Sequence, residues 1–262
     1  MMGTVFGSFF TLAVYRIPHH KDITHERSFC PNCNHRLEFI DLIPILSYIF
    51  LKGKCRYCGQ KIRIRYLILE ILSGLVFLLA YMSFGIHFPN YDIATFVAFT
   101  SFVCMYITVV IVSGIDKEYR TINKGTILFG TVMQAIYILY LYIVEKANVY
   151  RYSIYLILLV IIEIANIIYL KKNVKENYVL EILLFAIYIA FVVGGELFLV
   201  ISLLTIIMVI FSNLIQKVKF NIKDNANILN DAEKKKTRVG FLMGISTIIV
   251  CLIENVLMYC IK

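Results

Sequence analysis

Eight blocks of apolar residues govern what this chain can fold into. They lie near 2–16, 66–84, 94–115, 126–144, 152–170, 178–193, 196–214 and 240–260. A helix needs about 20 apolar residues to cross the hydrocarbon core of a bilayer. Most of these blocks reach that length, and they are apolar throughout instead of striped, so they do not read as amphipathic surface helices. The first is short for a span, and the sixth and seventh are separated only by Gly194 to Glu196. The other use for such blocks is as buried helices of a large soluble protein. With only 16% charged residues, against about 25% in soluble domains, too little polar surface remains for that. The expected fold is an all-α polytopic membrane protein of about eight transmembrane helices.

The formal charge of +9 raises the question of an acidic partner, and its distribution answers it. Lys and Arg number nine in 19–65, none in 83–93, three in 116–125, two in 145–151, three in 171–177, none in 193–196 and seven in 215–239. The odd-numbered connections therefore hold 22 of the 26 basic residues. Short basic connections are retained on the cytoplasmic side of a membrane. The alternation fits an outside N-terminus and a cytoplasmic 19–65 segment. No basic run is interleaved with aromatics, so nucleic acid is not an expected partner. The opening "MMGTVFGSFFTLAVYRIP" lacks a basic leading region and a small-x-small cleavage site, and it reads as a retained first span.

Seven cysteines fall into two groups. Cys104, Cys251 and Cys260 lie in apolar blocks, as small buried hydrophobes do. The other four form two C-x-x-C pairs, Cys30/Cys33 and Cys55/Cys58, in "CPNCNHRLEFIDLIPILSYIFLKGKCRYCG". Cytoplasmic thiols stay reduced, and paired C-x-x-C knuckles are the usual source of four thiolates for one tetrahedral Zn2+. Asn34 and Gly59 follow the second cysteine of each knuckle and tolerate tight turns. A redox pair or four unligated thiols would be the alternatives. Four protein ligands leave no open position, so the metal would be structural and would fold a segment with little core of its own. "RLEFIDLIPILSYIF", between the knuckles, is apolar enough to lie against the membrane helices. The chain thus divides into a first transmembrane helix (1–18), a four-cysteine domain (19–65) and a membrane-embedded helical domain (66–262).

Ionisable residues inside spans are costly and mark candidate sites. Asp116 ends the third block, Glu163 lies mid-block in the fifth, Glu181 begins the sixth, Glu70 is early in the second and Glu254 sits in the last. The charge alternation puts the end of the third span and the start of the sixth at the cytoplasmic face. Asp116 and Glu181 then share a depth, and two carboxyls that meet can share a proton and activate water as an aspartic-protease pair does. Any one of these groups would otherwise make a structural polar contact with a neighbouring helix.

Several motifs resemble those of the type IV prepilin peptidase family, the leader peptidases and N-methyltransferases of bacterial pili and related secretion systems. "GSFFTLAVYRIP" (7–18) resembles the family's opening element. Residues 30–74 resemble its cytoplasmic cysteine domain almost position for position, including Asp41, Pro44, Ser47, Gly53, Arg65, Tyr66 and Glu70. "GIDKEYRTIN" (114–123) resembles the motif of the first catalytic Asp, which makes Asp116 that residue, and "RVGFLMG" (238–244) resembles a late F-G-P-F-L element. Thr11 replaces a customary Asn, and Asn123 a Pro.

The second catalytic motif, G-x-G-D-x-K, departs further. Its one credible register runs through "NYVLEILLFAIYIAFVVGG". Glu181 stands for the Asp, Tyr178 and Leu180 for the glycines, and Leu183 for the Lys. The resemblance implies an aspartic endopeptidase of the bacterial cytoplasmic membrane. It would cleave the leaders of prepilin-like proteins at the cytoplasmic face with Asp116 and Glu181, and methylate the new N-terminus with S-adenosylmethionine. The alternative is a degenerate member that has lost proteolysis but keeps methyl transfer, or a non-enzymatic assembly partner. The charge pattern makes its own prediction: in intact cells, a thiol reagent that cannot cross the membrane will leave residues 19–65 and single cysteines placed in 215–239 unlabelled. Labelling of 19–65 from outside would reverse the orientation.

Overall fold

The computed structural model describes residues 1–23, 25, 27–86, 92–146, 148–172, 178–193, 195–222 and 238–261. Parts of the basic connections, with Asp224 and Asp231 among them, lie outside the described residues. A backbone amide in hydrocarbon finds no water, so a spanning segment must satisfy its hydrogen bonds internally, and every apolar block forms a helix. In chain order the helices are α1 (Met2–Arg16), α2 (Leu46–Phe50), α3 (Arg65–Phe84), α4 (Ile93–Tyr119), α5 (Lys124–Ile143), α6 (Tyr150–Lys172), α7 (Tyr178–Val193), α8 (Gly195–Ile222) and α9 (Val239–Ile261). Among the described residues there is no β-sheet, only two isolated bridges inside the cysteine segment. The molecule is a polytopic α-helical membrane protein with the four-cysteine segment between its first two long helices.

Five stretches are long and apolar enough to cross a membrane: Arg65–Phe84, Ile93–Tyr119, Lys124–Ile143, Tyr152–Tyr169 and Leu197–Leu214. The other three expected spans are also helical but shorter, with 15 residues in α1 and 16 in α7 and an apolar part of α9 at Val239–Glu254. The helices stop where the sequence supplies a stop. Gly85 closes α3 in the left-handed conformation (φ +64°), and Arg120 (φ 57°) turns the chain after α4. Asn123 then caps α5, its side chain accepting from the Thr126 amide at 2.8 Å. Asn is a strong N-cap, which gives a physical use for an Asn at a position where the family resemblance anticipated Pro.

Close contacts divide the chain into two units, residues 1–107 with 252–262 and residues 108–251. In the first, α1 lies flush on α3. A Cβ on Gly7 would stand 2.7 Å from the Glu70 Cα and 2.9 Å from the Leu69 carbonyl oxygen, and Gly3 faces Ser73 and Phe77 just as tightly. Small residues four apart let membrane helices approach backbone to backbone. Phe6 stacks on Phe77 with centroids 5.2 Å apart, and Tyr106 meets Phe10 and Phe77 edge-on. The Tyr106 hydroxyl donates to Ser73 at 3.2 Å. At the end of α1 the buried Arg16 side chain donates to the carbonyls of Asp22 (2.9 Å) and Arg27 (3.3 Å), fastening the start of the cysteine segment.

In the second unit, Val109, Val112 and Ile115 of α4 and Phe185, Tyr188, Ile189 and Phe191 of α7 are essentially inaccessible. Thr205 of α8 donates to Ser246 of α9 at 2.9 Å within a buried polar contact. Cys251 is buried and Cys104 half-buried, as small hydrophobes of the spans should be, while the side chain of Cys260 lies outside the described residues. The Gly7 contact carries a test. Gly7→Val forces a branched side chain into backbone and should cost about 1–3 kcal/mol, read as a lowered thermal unfolding midpoint in detergent. An unchanged midpoint would mean that α1 and α3 do not pack through this face.

Candidate functional site

The two cysteine knuckles are built alike. In the first, the Cys30 amide donates to the His35 carbonyl (3.0 Å) and the Asn34 amide to the Cys30 carbonyl (2.8 Å). In the second, Cys55 donates to Gln60 (2.8 Å) and Gly59 to Cys55 (3.0 Å). Each knuckle is closed by one antiparallel bridge, Phe29 with Arg36 and Lys54 with Lys61. Asn34 (φ 56°) and Gly59 (φ 71°) hold equivalent left-handed positions, where only Gly and Asn-like residues sit easily.

This repeat brings Cys30, Cys33, Cys55 and Cys58 together, with all four sulfurs within 4.8 Å of one another. Cys30 Sγ and Cys58 Sγ are 3.8 Å apart. Sulfurs bonded to one tetrahedral ion at about 2.3 Å lie about 3.8 Å from each other, so the cluster fits such an ion. Cys30 and Cys55 are buried, whereas Cys33 and Cys58 are exposed. The thiols are not equivalent without a cation. The Gln60 amide, and then the Asn32 side chain, hold Cys58 down at about 6. Cys33 is pushed up to about 11: the His35 amide works against this, but desolvation and hydrogen bonds to Cys30 and Cys58 prevail. Four ionised sulfurs this close repel one another unless a cation sits between them.

Polar contacts replace a core around the cluster. Asp41 holds the Arg56 guanidinium at 2.8 Å and accepts from the Tyr57 hydroxyl at 3.1 Å, tying the second knuckle to the stretch between the knuckles. Tyr57 stacks on His35 of the first knuckle with centroids 3.6 Å apart. Glu70 is buried in α3 and accepts from the Ile45 amide at 2.8 Å. It therefore has a structural task, holding the apolar stretch by its backbone.

Two carboxyl groups of the second unit, Asp116 and Glu181, fall in one region of it. Asp116, in the last turn of α4, has no exposed surface. Its Oδ1 accepts from the Tyr178 hydroxyl at 2.8 Å, and its Oδ2 from the Phe241 amide at 2.8 Å. It thus faces the first turn of α7 and the first turn of α9, where free amides and the helix dipole favour an anion. Gly240 makes the approach possible, since a Cβ there would stand 3.1 Å from Asp116 Oδ2. Two cations flank the cluster, Lys117 over the Phe241 ring at 4.5 Å and Arg120 over the Tyr178 ring at 5.1 Å.

Glu181 is 1% exposed, and its Oε2 accepts at 3.2 Å from the amide of Ile122, in the connection that follows Asp116. Tyr178 and Glu181 are three residues apart on α7, hence on one face. The start of α7 therefore reaches both Asp116 and the connection after it. Glu163 is half-buried on α6 and Glu254 is exposed on α9, while Glu70 serves the cysteine segment. Nothing local in the sequence points to Tyr178, Gly240 and the Phe241 amide as the neighbours of Asp116. A tyrosine at a position where a glycine was anticipated was the available signal.

Comparison with known proteins finds partial likenesses. Residues 1–84 match the Bacterial Peptidase A24 N-terminal domain. A prepilin leader peptidase/N-methyltransferase of Bacillus subtilis (strain 168) is 37% identical over 129 residues, 49% of this chain and 48% of the relative. That of Myxococcus xanthus (strain DK1622) is 39% identical over 85 residues, 32% and 25% of the two chains, and that of Klebsiella pneumoniae is 38% identical over 86 residues, 30% and 38%. The matched chain thus spans half or less of each of these relatives. No solved structure matches it. Residues 1–84 thus resemble an A24 N-terminal domain, and the chain is similar over up to half its length to prepilin leader peptidase/N-methyltransferases.

Proposed function

We propose that the chain is an aspartic endopeptidase that removes the leaders of prepilin-like proteins at the cytoplasmic face of a bacterial membrane. The observation that carries this reading is the gathering of Asp116 and Glu181, both inaccessible, around the start of α7 and the end of α4. One carboxylate takes a proton from water as it attacks the scissile carbonyl, and the other carboxyl gives a proton to the carbonyl oxygen. By the family resemblance the substrate is a short basic leader followed by an apolar helix, and the carboxyls stand at the ends of spans, the depth at which such a junction would lie. In this reading residues 1–18 anchor the chain, 19–65 form a zinc-stabilised cytoplasmic domain and 66–262 carry the chemistry.

Cys30, Cys33, Cys55 and Cys58 would hold Zn2+ as a closed structural site, supported by the 3.8 Å sulfur spacing. Methylation of the new N-terminus by S-adenosylmethionine rests on the resemblance alone, for the chain has no glycine-rich nucleotide loop.

A second reading draws on one specific observation. Tyr178 occupies an expected glycine position, and its hydroxyl closes on Asp116 Oδ1. If that contact plugs the site, the chain is a degenerate relative without proteolysis. Membranes carrying the chain and a prepilin-like substrate separate the two. Under the peptidase reading, Asp116→Asn and Glu181→Gln each lower cleavage by roughly 10²–10⁴-fold, and Tyr178→Phe lowers it by a smaller factor while leaving KM unchanged. Under the plugged reading the wild type is silent and Tyr178→Gly gains activity. Cleavage that survives Glu181→Gln undiminished would remove Glu181 from the pair.

The metal has its own test. Purified protein should carry about one Zn2+ per four thiolates, and Cys55→Ser should lose it. Since protons compete with metal for thiolates, occupancy should fall as the pH drops. Protein free of metal, with residues 19–65 still protease-resistant, would show that polar packing alone holds the knuckles.

A further inference from the structure

The stretch between the knuckles is not buried as its composition led us to expect. Phe39 (83% exposed), Ile40, Leu46, Ile49 and Phe50 (78% exposed) all face outward, although the stretch lies outside the spans. Residues Phe39–Leu42 form a 3-10 turn and Leu46–Phe50 the short α2, and the two pack against each other. A water-facing domain rarely presents so many large apolar side chains together without a partner for them.

Two features say what that partner is. The first is depth. Ile45 joins the two turns in a γ-turn, with φ +64° and ψ −53° and the Leu46 amide donating to the Pro44 carbonyl at 2.7 Å. This turn is strained for a β-branched residue, and the Glu70 carboxylate holds it through the Ile45 amide. Glu70 lies five residues inside α3, a helix apolar enough to span. At about 1.5 Å per residue, that is roughly 7–8 Å below the start of the helix. Interfacial segments bury their apolar side chains about 5–10 Å into the headgroup and acyl boundary, so the stretch is pinned at that level and not above it. The second feature is charge. Lys52, Lys54, Lys61 and Arg63 are exposed on the same small domain, against two acids in the stretch: Asp41, neutralised by Arg56, and the exposed Glu38, whose side chain caps the Phe39–Leu42 turn. Basic residues beside apolar ones are what an anionic lipid surface attracts.

We propose that residues 39–50 dock into an anionic lipid headgroup layer beside α3, with Phe39 and Phe50 as the inserted side chains. The cysteine cluster then serves as the rigid clip that presents this apolar edge to the bilayer. The proposal does not depend on the peptidase reading.

The chain contains no tryptophan, so a single introduced one reports alone. Phe50→Trp, Phe39→Trp and, as a control on the opposite side of the segment's chemistry, the exposed Gln60→Trp are reconstituted as full chains in phosphatidylglycerol-containing vesicles. A protease-resistance profile for residues 19–65 equal to that of the unsubstituted protein shows that each variant has folded. Lipids brominated near the headgroup end of the acyl chain should quench Phe50→Trp and Phe39→Trp at least twofold more than Gln60→Trp. That excess should shrink when phosphatidylcholine replaces the anionic lipid or salt is raised. Equal quenching of all three overturns the docking and leaves the face to a protein partner. Excess quenching that is the same in phosphatidylcholine overturns the role of the anionic headgroup.

Discussion

A hydrocarbon solvent gives a backbone amide nothing to bond, and the rest of this structure follows from that. Every apolar block must close its hydrogen bonds within itself, so each becomes a helix. Where a helix ends, amides and carbonyls are left without intrahelical partners, and polar side chains collect there. Arg16 takes the carbonyls beyond α1, Asn123 takes the amide of Thr126 at the start of α5, and Asp116 takes that of Phe241 at the start of α9. The residues that look like candidates for chemistry are thus also those that the membrane forces into particular positions.

This double duty gives the carboxyl cluster its character. Asp116 is fixed by a phenol and a main-chain amide at 2.8 Å each, and Glu181 by the amide of Ile122. Such fixed donors pre-orient a carboxylate without reorganisation when charge develops, which is how a water-excluded site stabilises a transition state. The same bonds would be made by groups with only a structural task. The distinction lies in whether Tyr178 orients Asp116 or shields it.

The cysteine segment solves the opposite problem. Among its described residues it has almost no buried apolar side chains and no helix longer than five residues. A repeated turn, four clustered sulfurs and the Asp41–Arg56–Tyr57–His35 contacts take the place of a core. Its apolar residues are therefore left over for use elsewhere, which is unusual in so small a unit.

The sequence by itself determined the helices, because apolar length leaves the backbone no other solution, and the four-cysteine cluster, because two equal knuckles with left-handed Asn34 and Gly59 are specified within a few residues each. It also marked Asp116 and Glu181 as unusual, since charge inside an apolar block needs a reason. Tertiary structure decided what those marks meant. That α1 rests on α3 through Gly7, that Glu70 serves the Ile45 amide, and that Tyr178 and the start of α9 converge on Asp116 all depend on contacts between residues tens of positions apart. In an apolar chain nearly every helix face looks alike to its neighbours. Which faces meet is settled by small residues and single polar groups, whose partners no local pattern specifies.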